Sequence, residues 1–441
     1  MSLTPPIKVR KLQEALHAKA KGSPGYRFYL LYDKLYREDI LEYAYRVCAA
    51  NGGVAGVDGQ RFEDIESAGR EAWLGELAEE LREKRYRPRA IKRVYIPKPS
   101  GGQRPLGIPT VRDRVVQTAA ALVLSPIFEA DLPSEQYGYR PERGGLDALR
   151  EVFILINTGH LEIVDADLSG YFDTIPHAEL MKSVARRVSD RHLLSLIKQW
   201  LKIPVEEHDD RGRKRRTTRA KDTGRGIPQG SPLSPLLSNL YMRRFVLGWE
   251  ALGHARRLGA RIVNYADDLV ICCRGSADEA LRAMRTMMVR LKLTVNESKT
   301  RACRLPVDSF DFLGYTVGRC WSAKTGKAHL GLRPSRSRIQ RICREISERT
   351  SRSTLLLDPA EQIARLNRMM VGWANYFSLG PVSAAYRIVD RHAAGRLRQW
   401  LRGKHRLKAR AVTHFGDSFL HEKLGLVRLS ARTRNFPWAK A

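Results

Sequence analysis

Acidic residues are scarce in this sequence relative to basic ones: 47 Asp and Glu stand against 78 Lys and Arg, for a formal net charge of +31 at pH 7. An enzyme that acts on small neutral metabolites does not need such a surface. Because Lys and Arg release condensed counterions when they neutralise phosphates, we expect strong and salt-dependent binding of nucleic acid. The basic excess runs along the whole chain instead of forming one tail, which favours this interpretation over a merely soluble basic protein.

Cysteine is also scarce, with six in 441 residues, and the spacings form no pair of CxxC motifs. A structural zinc site is therefore not expected, and unpaired thiols suit a reducing compartment. No apolar run approaches the roughly 20 residues that cross a bilayer, and residues 1–22 lack the apolar core of a secretory signal. We expect a cytoplasmic protein without a membrane partner. The basic stretch 7–21 imitates an organelle transit peptide, although Glu14 argues against that alternative.

Periodicity and turn residues divide the chain into three stretches. Residues up to about 63 have the pattern of basic helices and end in a glycine-rich turn at 51–59. The next stretch, 62–315, mixes helices with short β-branched strands, so an α+β region is expected, with hairpin signals at 98–102 and 266–268. Segment 209–221 has almost no apolar residue and predicts an exposed connection. Beyond residue 332, apolar residues at helical spacing among arginines predict a basic helical bundle.

Two predicted strands lead into carboxylates. Asp267 and Asp268 lie at a turn between apolar segments, and Asp167 ends another apolar segment. Paired acids cost desolvation and repulsion, which divalent cations offset, although an Asp-Asp turn on its own is usually only a turn. Nucleotidyl transfer uses two metal ions about 4 Å apart, held by carboxylates from two strands. We expect Asp167 and Asp267 to bridge the ions, with Asp268 and the backbone carbonyl of Leu168 completing the site.

The order of motifs around these carboxylates resembles that of reverse transcriptases. Asp167 is followed by Phe172-Asp173, then by Pro228-Gln-Gly-Ser-Pro-Leu-Ser-Pro235, and then by Tyr265-Ala-Asp-Asp268. The series extends in both directions through Ile96-Pro-Lys98-Pro-Ser-Gly-Gly-Gln-Arg104-Pro-Leu-Gly-Ile-Pro109, Ser134-Glu-Gln-Tyr-Gly-Tyr-Arg140-Pro141, Val295-Asn-Glu-Ser-Lys299-Thr300 and Phe310-Asp-Phe-Leu-Gly-Tyr315.

Within this group the chain is most similar to group II intron-encoded reverse transcriptases, also called maturases. The segment 371–377 resembles the signature helix of the maturase domain, and its signature residues are Gly372, Trp373, Tyr376 and Phe377. Ordinary aromatic packing of a helix gives the same pattern, and the two interpretations are compatible. Segments 424–429 and 434–438 resemble the usual ending of such proteins, and the turn 56–59 matches an additional N-terminal motif that implies a lid over the template.

The resemblance implies an α+β fold with right-hand polymerase architecture. Fingers and palm with antiparallel sheet would be followed by an α-helical thumb or maturase domain. The expected division is a basic helical N-terminal extension (1–63), fingers (64–160), a palm with a fingers insertion (161–325), a thumb or maturase domain (326–400) and a basic C-terminal segment (401–441). Larger members carry a C-terminal endonuclease with His and Cys ligands. Nothing here resembles it, so we expect no second-strand cleavage.

The matched motifs imply roles for individual residues. Lys98 and Arg104 flank a Gly-Gly hairpin and are expected to close over a nucleotide triphosphate, with a solvated hairpin as the alternative. Phe172 is expected beneath the sugar, where it would exclude a 2′ hydroxyl, although a core phenylalanine has the same pattern. Gln229 is expected in a rigid turn beside the nucleotide. For RNA and primer contacts we expect Lys299, at the first turn of a predicted helix, together with Arg213, Lys214, Arg215, Arg216, Arg338 and Arg341.

The function that the resemblance implies is RNA-dependent DNA synthesis with two Mg²⁺ ions, or Mn²⁺ in their place. Binding of intron RNA would assist its splicing and retromobility. Expected partners are group II intron RNA, an RNA template with a DNA primer, target DNA and deoxynucleoside triphosphates, in the bacterial cytoplasm. The oligomeric state stays open. The alternatives are a domesticated reverse transcriptase for phage defence or DNA repair and an RNA-binding splicing factor only, while an RNA-templated RNA polymerase is disfavoured by the bulk of Phe172.

Overall fold

The computed structural model describes residues 3–97, 102–208, 213–322, 325–407 and 415–433, and of residue 208 it describes the backbone only. Its first part is helical, as the sequence predicts. The helices are α1 (Ile7–Gly22), α2 (Tyr32–Leu35), α3 (Glu38–Asn51), α4 (Phe62–Ala68) and α5 (Arg70–Arg82). Glycines at positive φ follow α3 and α4, since a left-handed residue at a helix end costs glycine little.

A hairpin and two long helices follow. They are β1 (Ile91–Pro97), β2 (Gln103–Ile108), α6 (Val111–Glu129) and α7 (Gly145–Asn157). Helix α6 is apolar nearly all round and buried, and α1 and α3 pack against it. Its first turn is capped by Thr110, whose Oγ1 accepts a hydrogen bond from the Asp113 amide at 3.1 Å. The predicted hairpin is confirmed, because β1 and β2 pair antiparallel from Lys92↔Ile108 to Pro97↔Gln103.

The middle of the chain alternates strands with short helices. These elements are β3 (Glu162–Asp167), α8 (Tyr171–Thr174), α9 (His177–Ala185), α10 (Arg191–Leu201), β4 (Val205–His208), β5 (Lys214–Thr217) and α11 (Arg219–Thr223). The first mixed sheet has the strand order β2-β1-β4-β5. The prediction of an exposed connection at 209–221 is wrong in part, because Lys214–Thr217 is an edge strand. Its cations face the acids of β4, as in the register pairs Arg216↔Glu206 and Arg215↔Glu207.

A second sheet carries the carboxylates. It is completed by α12 (Ser234–Ala251), α13 (His254–Leu258), β6 (Arg261–Tyr265), β7 (Asp268–Cys273), α14 (Ala277–Arg290) and β8 (Arg301–Arg304). The strand order is β6-β7-β3-β8 and all three pairings are antiparallel. The predicted helix that would begin near Lys299 is wrong, because residues 297–299 form a turn that leads directly into β8.

A third sheet and a helical bundle end the described chain. They comprise β9 (Phe310–Phe312), β10 (Tyr315–Trp321), β11 (Ala328–Pro334), α15 (Arg336–Arg349), a 3₁₀ turn (Arg352–Thr354), α16 (Pro359–Tyr376), α17 (Ser383–Lys404), a π-helical turn (Phe419–Lys423) and α18 (Leu429–Arg432). Helix α15 buries Ile342 and Ile346 and exposes its arginines. The α+β fold with antiparallel sheets and a helical last part is therefore as predicted.

Three apolar cores hold these elements together. The largest runs from Val9 to Leu293 and joins α1 to α6 and one face of the second sheet. Another joins α7, the other face of that sheet and the third sheet, and the last fills the bundle after residue 339. The N-terminal helices thus share a core with later elements, and the predicted domain boundaries stay predictions. Among the described helices, none has both the length and the apolar character to cross a membrane.

Candidate active site

The three predicted catalytic carboxylates lie at the same end of the second sheet. Asp167, the last residue of β3, is the register partner of Asp268, the first residue of β7. Asp268 in turn pairs with Tyr265 across the β6–β7 hairpin, so Ala266 and Asp267 form a two-residue turn. Pairing of β3 with β7 therefore places Asp167 and Asp268 side by side on neighbouring strands, with Asp267 in the adjoining turn.

The hairpin turn depends on close packing from a second segment. Ala266 has a φ of +59°, a left-handed conformation that an alanine adopts only when its surroundings impose it. Gly138 lies so close that a Cβ on it would be 2.6 Å from the Ala266 nitrogen. Asn264, fully buried, donates from Nδ2 to the carbonyl oxygens of Ala266 at 2.9 Å and Asp268 at 3.2 Å. The segment around Gly138 and the Asn264 amide thus fix the position of Asp267.

Asp167 is held by the segment that precedes β8. Asn296 Nδ2 donates to Asp167 Oδ2 at 2.8 Å, and Lys299 Nζ lies 3.2 Å from the same oxygen. The backbone amide of Asp167 donates to Thr300 Oγ1 at 3.2 Å. Lys299, predicted to contact RNA or primer, is therefore an ion-pair partner of a predicted metal ligand in this structure.

Burial and neighbouring negative charge raise the pKa of three acids at this end of the sheet, Asp165, Asp267 and Asp268. Burial, followed by the negative charges of Asp267, Asp167 and Asp165, raises the pKa of Asp268 to about 7. Burial is also the main cause that raises the pKa of Asp267. Asp165 lies two residues before Asp167 on the same face of β3, and burial raises its pKa to about 6. Such a group of acids favours either protonation or a bound cation.

A cavity of about 840 Å³ opens in front of the carboxylates. Its lining contains half of the predicted site residues that the structure describes, namely Arg104, Asp167, Leu168, Phe172, Gln229, Asp267, Asp268, Lys299 and Arg338. Arg338 comes from the start of α15 and lies against Gly314, where a Cβ would be 2.9 Å from Arg338 Nε. The cavity is therefore built from the hairpin, the second sheet and the first helix of the bundle together. Lys98 lies outside the described residues.

Two glycines bring the Pro228–Pro235 turn against the β1–β2 hairpin. The Gly107 amide donates to the Gln229 carbonyl at 2.6 Å. Gly230, at a φ of +107°, lies where a Cβ would be 2.3 Å from the Gly107 oxygen, so only glycine fits there. Gln229 Nε2 donates to Asp173 Oδ2 at 3.3 Å. The predicted rigid turn thus packs against the hairpin that carries Arg104, and Arg104 and Gln229 line the same cavity.

Phe172 is half-buried on the short helix α8, at the edge of the cavity. Its ring meets Tyr171 edge-on at 5.8 Å between centroids and Tyr139 edge-on at 6.3 Å. Tyr171 is buried and donates from its hydroxyl to the Ser238 carbonyl at 2.6 Å. The ring of Phe172 is therefore not enclosed by the core, since one side of it faces the cavity.

Other predicted residues lie away from the cavity lining. Lys214, Arg215 and Arg216 are exposed on the edge strand β5, and Arg213 precedes that strand. Arg341 Nε donates to Glu345 within α15 at 2.9 Å. The signature aromatics pack inward: Tyr376 Oη donates to the Leu313 carbonyl at 2.8 Å, and Phe377 is buried against Tyr315. Trp373 stacks on Phe377, with 4.7 Å between centroids, whereas Gly372 lies in open space.

The donor set suits Mg²⁺, whose ligands are oxygens and which in nucleotide sites takes one or two carboxylates plus substrate phosphates. In the part of the chain that the structure describes, no group of three His, Cys, Asp or Glu side chains is arranged to hold an ion unaided. Asp167 is instead compensated by Lys299. Burial first, and then the charge of neighbouring carboxylates, raises the pKa of Asp267 and of Asp268, and a bound cation would offset that charge. The residues therefore fit a Mg²⁺ ion whose remaining ligands would come from the phosphates of the substrate.

Four residues that position this site were not singled out from the sequence: Gly138, Tyr139, Asn264 and Asn296. Gly138 and Tyr139 lie in a matched motif, but their contacts are with Ala266, 128 positions from Gly138, and with Phe172, 33 positions from Tyr139. The asparagines stand in or beside matched motifs, and their role shows only in the hydrogen bonds of their amides, buried in Asn264 and half-buried in Asn296. A buried amide cannot be told from an exposed one before the fold is known.

The fold and the site together define a template-directed nucleotide polymerase, with paired aspartates on an antiparallel palm sheet. A family described as "Reverse transcriptase (RNA-dependent DNA polymerase)" matches residues 96–317, and a second, "Group II intron, maturase-specific domain", matches residues 339–416. The chain belongs to the reverse transcriptase family, in the branch whose members carry the group II intron maturase domain. RNA-directed DNA polymerase activity and group II intron splicing are the functions that these domains support.

Individual relatives agree with this assignment. Protein YkfC of Escherichia coli (strain K12) is 33% identical over 348 residues, which cover 70% of this chain and 88% of YkfC. Group II intron-encoded protein LtrA of Lactococcus lactis subsp. cremoris is 32% identical over 226 residues, or 50% of this chain and 35% of LtrA. Putative COX1/OXI3 intron 1 protein of Saccharomyces cerevisiae is 26% identical over 296 residues, covering 56% of this chain and 34% of the yeast protein. The match thus spans most of YkfC and about a third of the other two.

Proposed function

We propose that this protein copies RNA into DNA by in-line attack of a primer 3′ hydroxyl on the α-phosphate of a deoxynucleotide. Pyrophosphate would leave, and Asp167, Asp267 and Asp268 would hold the metal ions. The supporting observation is that β3 and the β6–β7 hairpin present these three carboxylates to one cavity. Mg²⁺, when bound, would activate the attacking hydroxyl and stabilise the leaving pyrophosphate.

The chain's own residues would do the rest of the work. Asn264 and Gly138 hold the Asp267 turn, and Asn296 orients Asp167, so the carboxylates are in place before substrate arrives. Arg104 would neutralise the triphosphate from the hairpin side, and Gln229 would contact the nucleotide beside it. Lys299 would offset the charge of Asp167 when no metal ion is bound. The Leu168 carbonyl remains our proposed additional ligand.

For Phe172 we propose the role of a sugar gate that excludes the 2′ hydroxyl of ribonucleotides. Its ring is half-buried and reaches the cavity edge, whereas a core phenylalanine would be enclosed. Selection by such a ring is steric, because a bulky side chain leaves no room for the additional oxygen. This gate favours DNA synthesis over RNA synthesis at the same site.

The second proposed activity is binding of group II intron RNA in a way that assists its splicing and retromobility. Exposed cations on α15 and on β5 would contact phosphates, and such contacts position an RNA more than they read its sequence. Template, primer and target DNA are the other proposed partners. We propose the bacterial cytoplasm as the setting, which suits six free cysteines, five of them buried. A splicing factor without polymerase activity would not need the three carboxylates.

The test is extension of a DNA primer on an RNA template by the purified full chain with Mg²⁺ and deoxynucleotides. Asp267→Ala should abolish extension while RNA binding and assistance to a group II intron transcript in splicing persist. Asp278→Ala, an exposed aspartate on α14 outside the cavity, is the matched control. Extension by Asp267→Ala would refute the metal assignment. A wild-type protein that binds RNA but never extends the primer would favour a splicing role alone.

A further inference from the structure

Tyr139 projects into the active-site cavity from a backbone that its neighbours force into an unusual conformation. Its φ is +58°, a left-handed value that bulky residues rarely adopt, and its side chain is 52% exposed. On one side, Gly138 is wedged against the Ala266 nitrogen. On the other side, the Arg140 guanidinium is 5% exposed and is bound to the Glu129 carboxylate. A conformation imposed from both sides at an active site indicates a functional requirement.

The anchoring of Arg140 is extensive enough to fix this geometry. Arg140 Nη1 donates to the carbonyl oxygens of Pro133 at 2.6 Å and Gln136 at 2.8 Å, and Nε donates to Glu129 at 2.9 Å. Charge-assisted bonds of this kind, shielded from water, are strong and directional. The backbone of Tyr139 is therefore held independently of its own side chain, and the ring position is set by residues 138 and 140.

The Tyr139 ring stands edge-on to Phe172, at 87° between ring planes and 6.3 Å between centroids. The other aromatic neighbour of Phe172 is Tyr171, which is buried and also meets Phe172 edge-on. No hydrogen bond of the Tyr139 hydroxyl occurs among the described residues, so the ring and not the hydroxyl makes the specific contact. Phe172 thus contacts two rings, that of Tyr171, which is buried, and that of Tyr139, which is held on an anchored backbone.

We propose that Tyr139 is a specificity-determining residue that holds Phe172 in the position from which it excludes ribonucleotides. The inference rests on the proposed sugar gate at Phe172. Without the Tyr139 ring, Phe172 gains room to swing away from the sugar, and the 2′ hydroxyl is then tolerated. An edge-to-face aromatic pair has a strength that corresponds to a factor of about 2 to 10 in discrimination.

The test is single-nucleotide incorporation by the purified full chain on a primed RNA template, as the ratio of kcat/KM for a deoxynucleotide to that for the matching ribonucleotide. Tyr139→Ala should lower this ratio about 2- to 10-fold, and Tyr139→Phe should retain it. A general loss of stability lowers both kcat/KM values together and leaves the ratio unchanged. Adding Tyr139→Ala to Phe172→Ala should have no further effect, because the two residues act through one contact.

Three results would overturn the inference. If Phe172→Ala lowers the ratio but Tyr139→Ala does not, the gate stands and Tyr139 has no part in it. If Tyr139→Phe loses discrimination as Tyr139→Ala does, the hydroxyl is responsible instead of ring packing. If Phe172→Ala leaves the ratio unchanged, the sugar gate itself fails. Should Tyr139→Ala fold poorly, Tyr139→Leu retains bulk without an aromatic edge and is expected to lower the ratio as well.

Discussion

Asn296 donates a hydrogen bond of 2.8 Å to Asp167, across 129 positions of sequence, and orients the carboxylate that ends β3. Side chains that orient metal ligands typically contribute about 10- to 100-fold to metal affinity or activity. We therefore expect Asn296→Leu to lower kcat of primer extension by about that factor and to raise the Mg²⁺ concentration needed for half-maximal rate. Glu297→Gln is the control, since Glu297 is exposed and pairs with Arg285 instead. An unchanged metal requirement in Asn296→Leu would contradict the positioning role.

The pKa of about 7 at Asp268 predicts a stability that falls as the pH rises. The folded chain holds this proton more tightly than the unfolded chain, whose Asp pKa is ordinary. The associated stability is therefore greatest below the ordinary pKa and is lost as the pH rises through about 7. Asn cannot ionise, so the advantage of Asp268→Asn over wild type should grow by about 1 to 2 kcal/mol between pH 5.5 and pH 8. Urea unfolding without divalent cations measures it, and an equal difference at both pH values would contradict the prediction.

The close approach of Gly138 to the catalytic turn predicts a large kinetic effect of one methyl group. In Gly138→Ala the new Cβ would be 2.6 Å from the Ala266 nitrogen, so the turn that carries Asp267 must move. Misplacement of a reacting group by about 1 Å can cost about 100-fold, and we expect a loss of kcat of that order. Gly75→Ala, on an exposed turn of α5 with open space around it, is the control. It should leave extension unchanged and stabilise the chain by about 0.5 to 1 kcal/mol.

The contacts of Arg187 attach the end of helix α1 to the rest of the protein, and this attachment can be tested by substitution. Its fully buried guanidinium donates to the carbonyl oxygens of Ala20 and Ser23, and its Nε lies 3.1 Å from Asp131. Arg187→Met leaves these acceptors unpaired, so we expect a loss of about 3 to 5 kcal/mol and faster proteolysis after α1. Arg186→Met is matched, because Arg186 also contacts Asp131 but is exposed, and it should cost less than about 1 kcal/mol. Similar losses in the two variants would show that burial is not the deciding factor.

The local pattern of the sequence predicted those parts of the site that depend on neighbours in the chain. Apolar segments on both sides of a tight turn predicted a hairpin that carries Asp267 and Asp268, and β6 and β7 form it. The motif order predicted that Arg104, Phe172 and Gln229 would share one site, and all three line the cavity. The catalytic and binding roles of these residues stay predictions until they are measured.

Contacts between separate elements determined two features that the local sequence pattern did not predict. Segment 214–217 is polar enough for a loop, but antiparallel pairing with β4, which sets Arg216 opposite Glu206 and Arg215 opposite Glu207, makes it a strand. Lys299 lies between Ser298 and Thr300, a sequence typical of the start of a helix. The ion pair with Asp167 and the start of β8 at Arg301 hold it in a turn instead. The first outcome depends on the strand that precedes the segment, and the second depends on Asp167, 132 positions away from Lys299. Neither partner is part of the local pattern of the segment itself.

The position of Tyr376 leads us to expect that the maturase signature also supports the active-site cavity of the polymerase. Its hydroxyl donates at 2.8 Å to Leu313, in the β9–β10 turn whose Gly314 packs against Arg338 at the cavity. Tyr376→Phe should cost about 1 kcal/mol and raise KM for the primer–template, while KM for the deoxynucleotide stays the same. Tyr386→Phe is the control: Tyr386 donates to Ala374 and Phe377 within the bundle, so it should cost stability without changing KM for the primer–template. Equal KM values in the two variants would mean that the signature serves packing of the bundle alone.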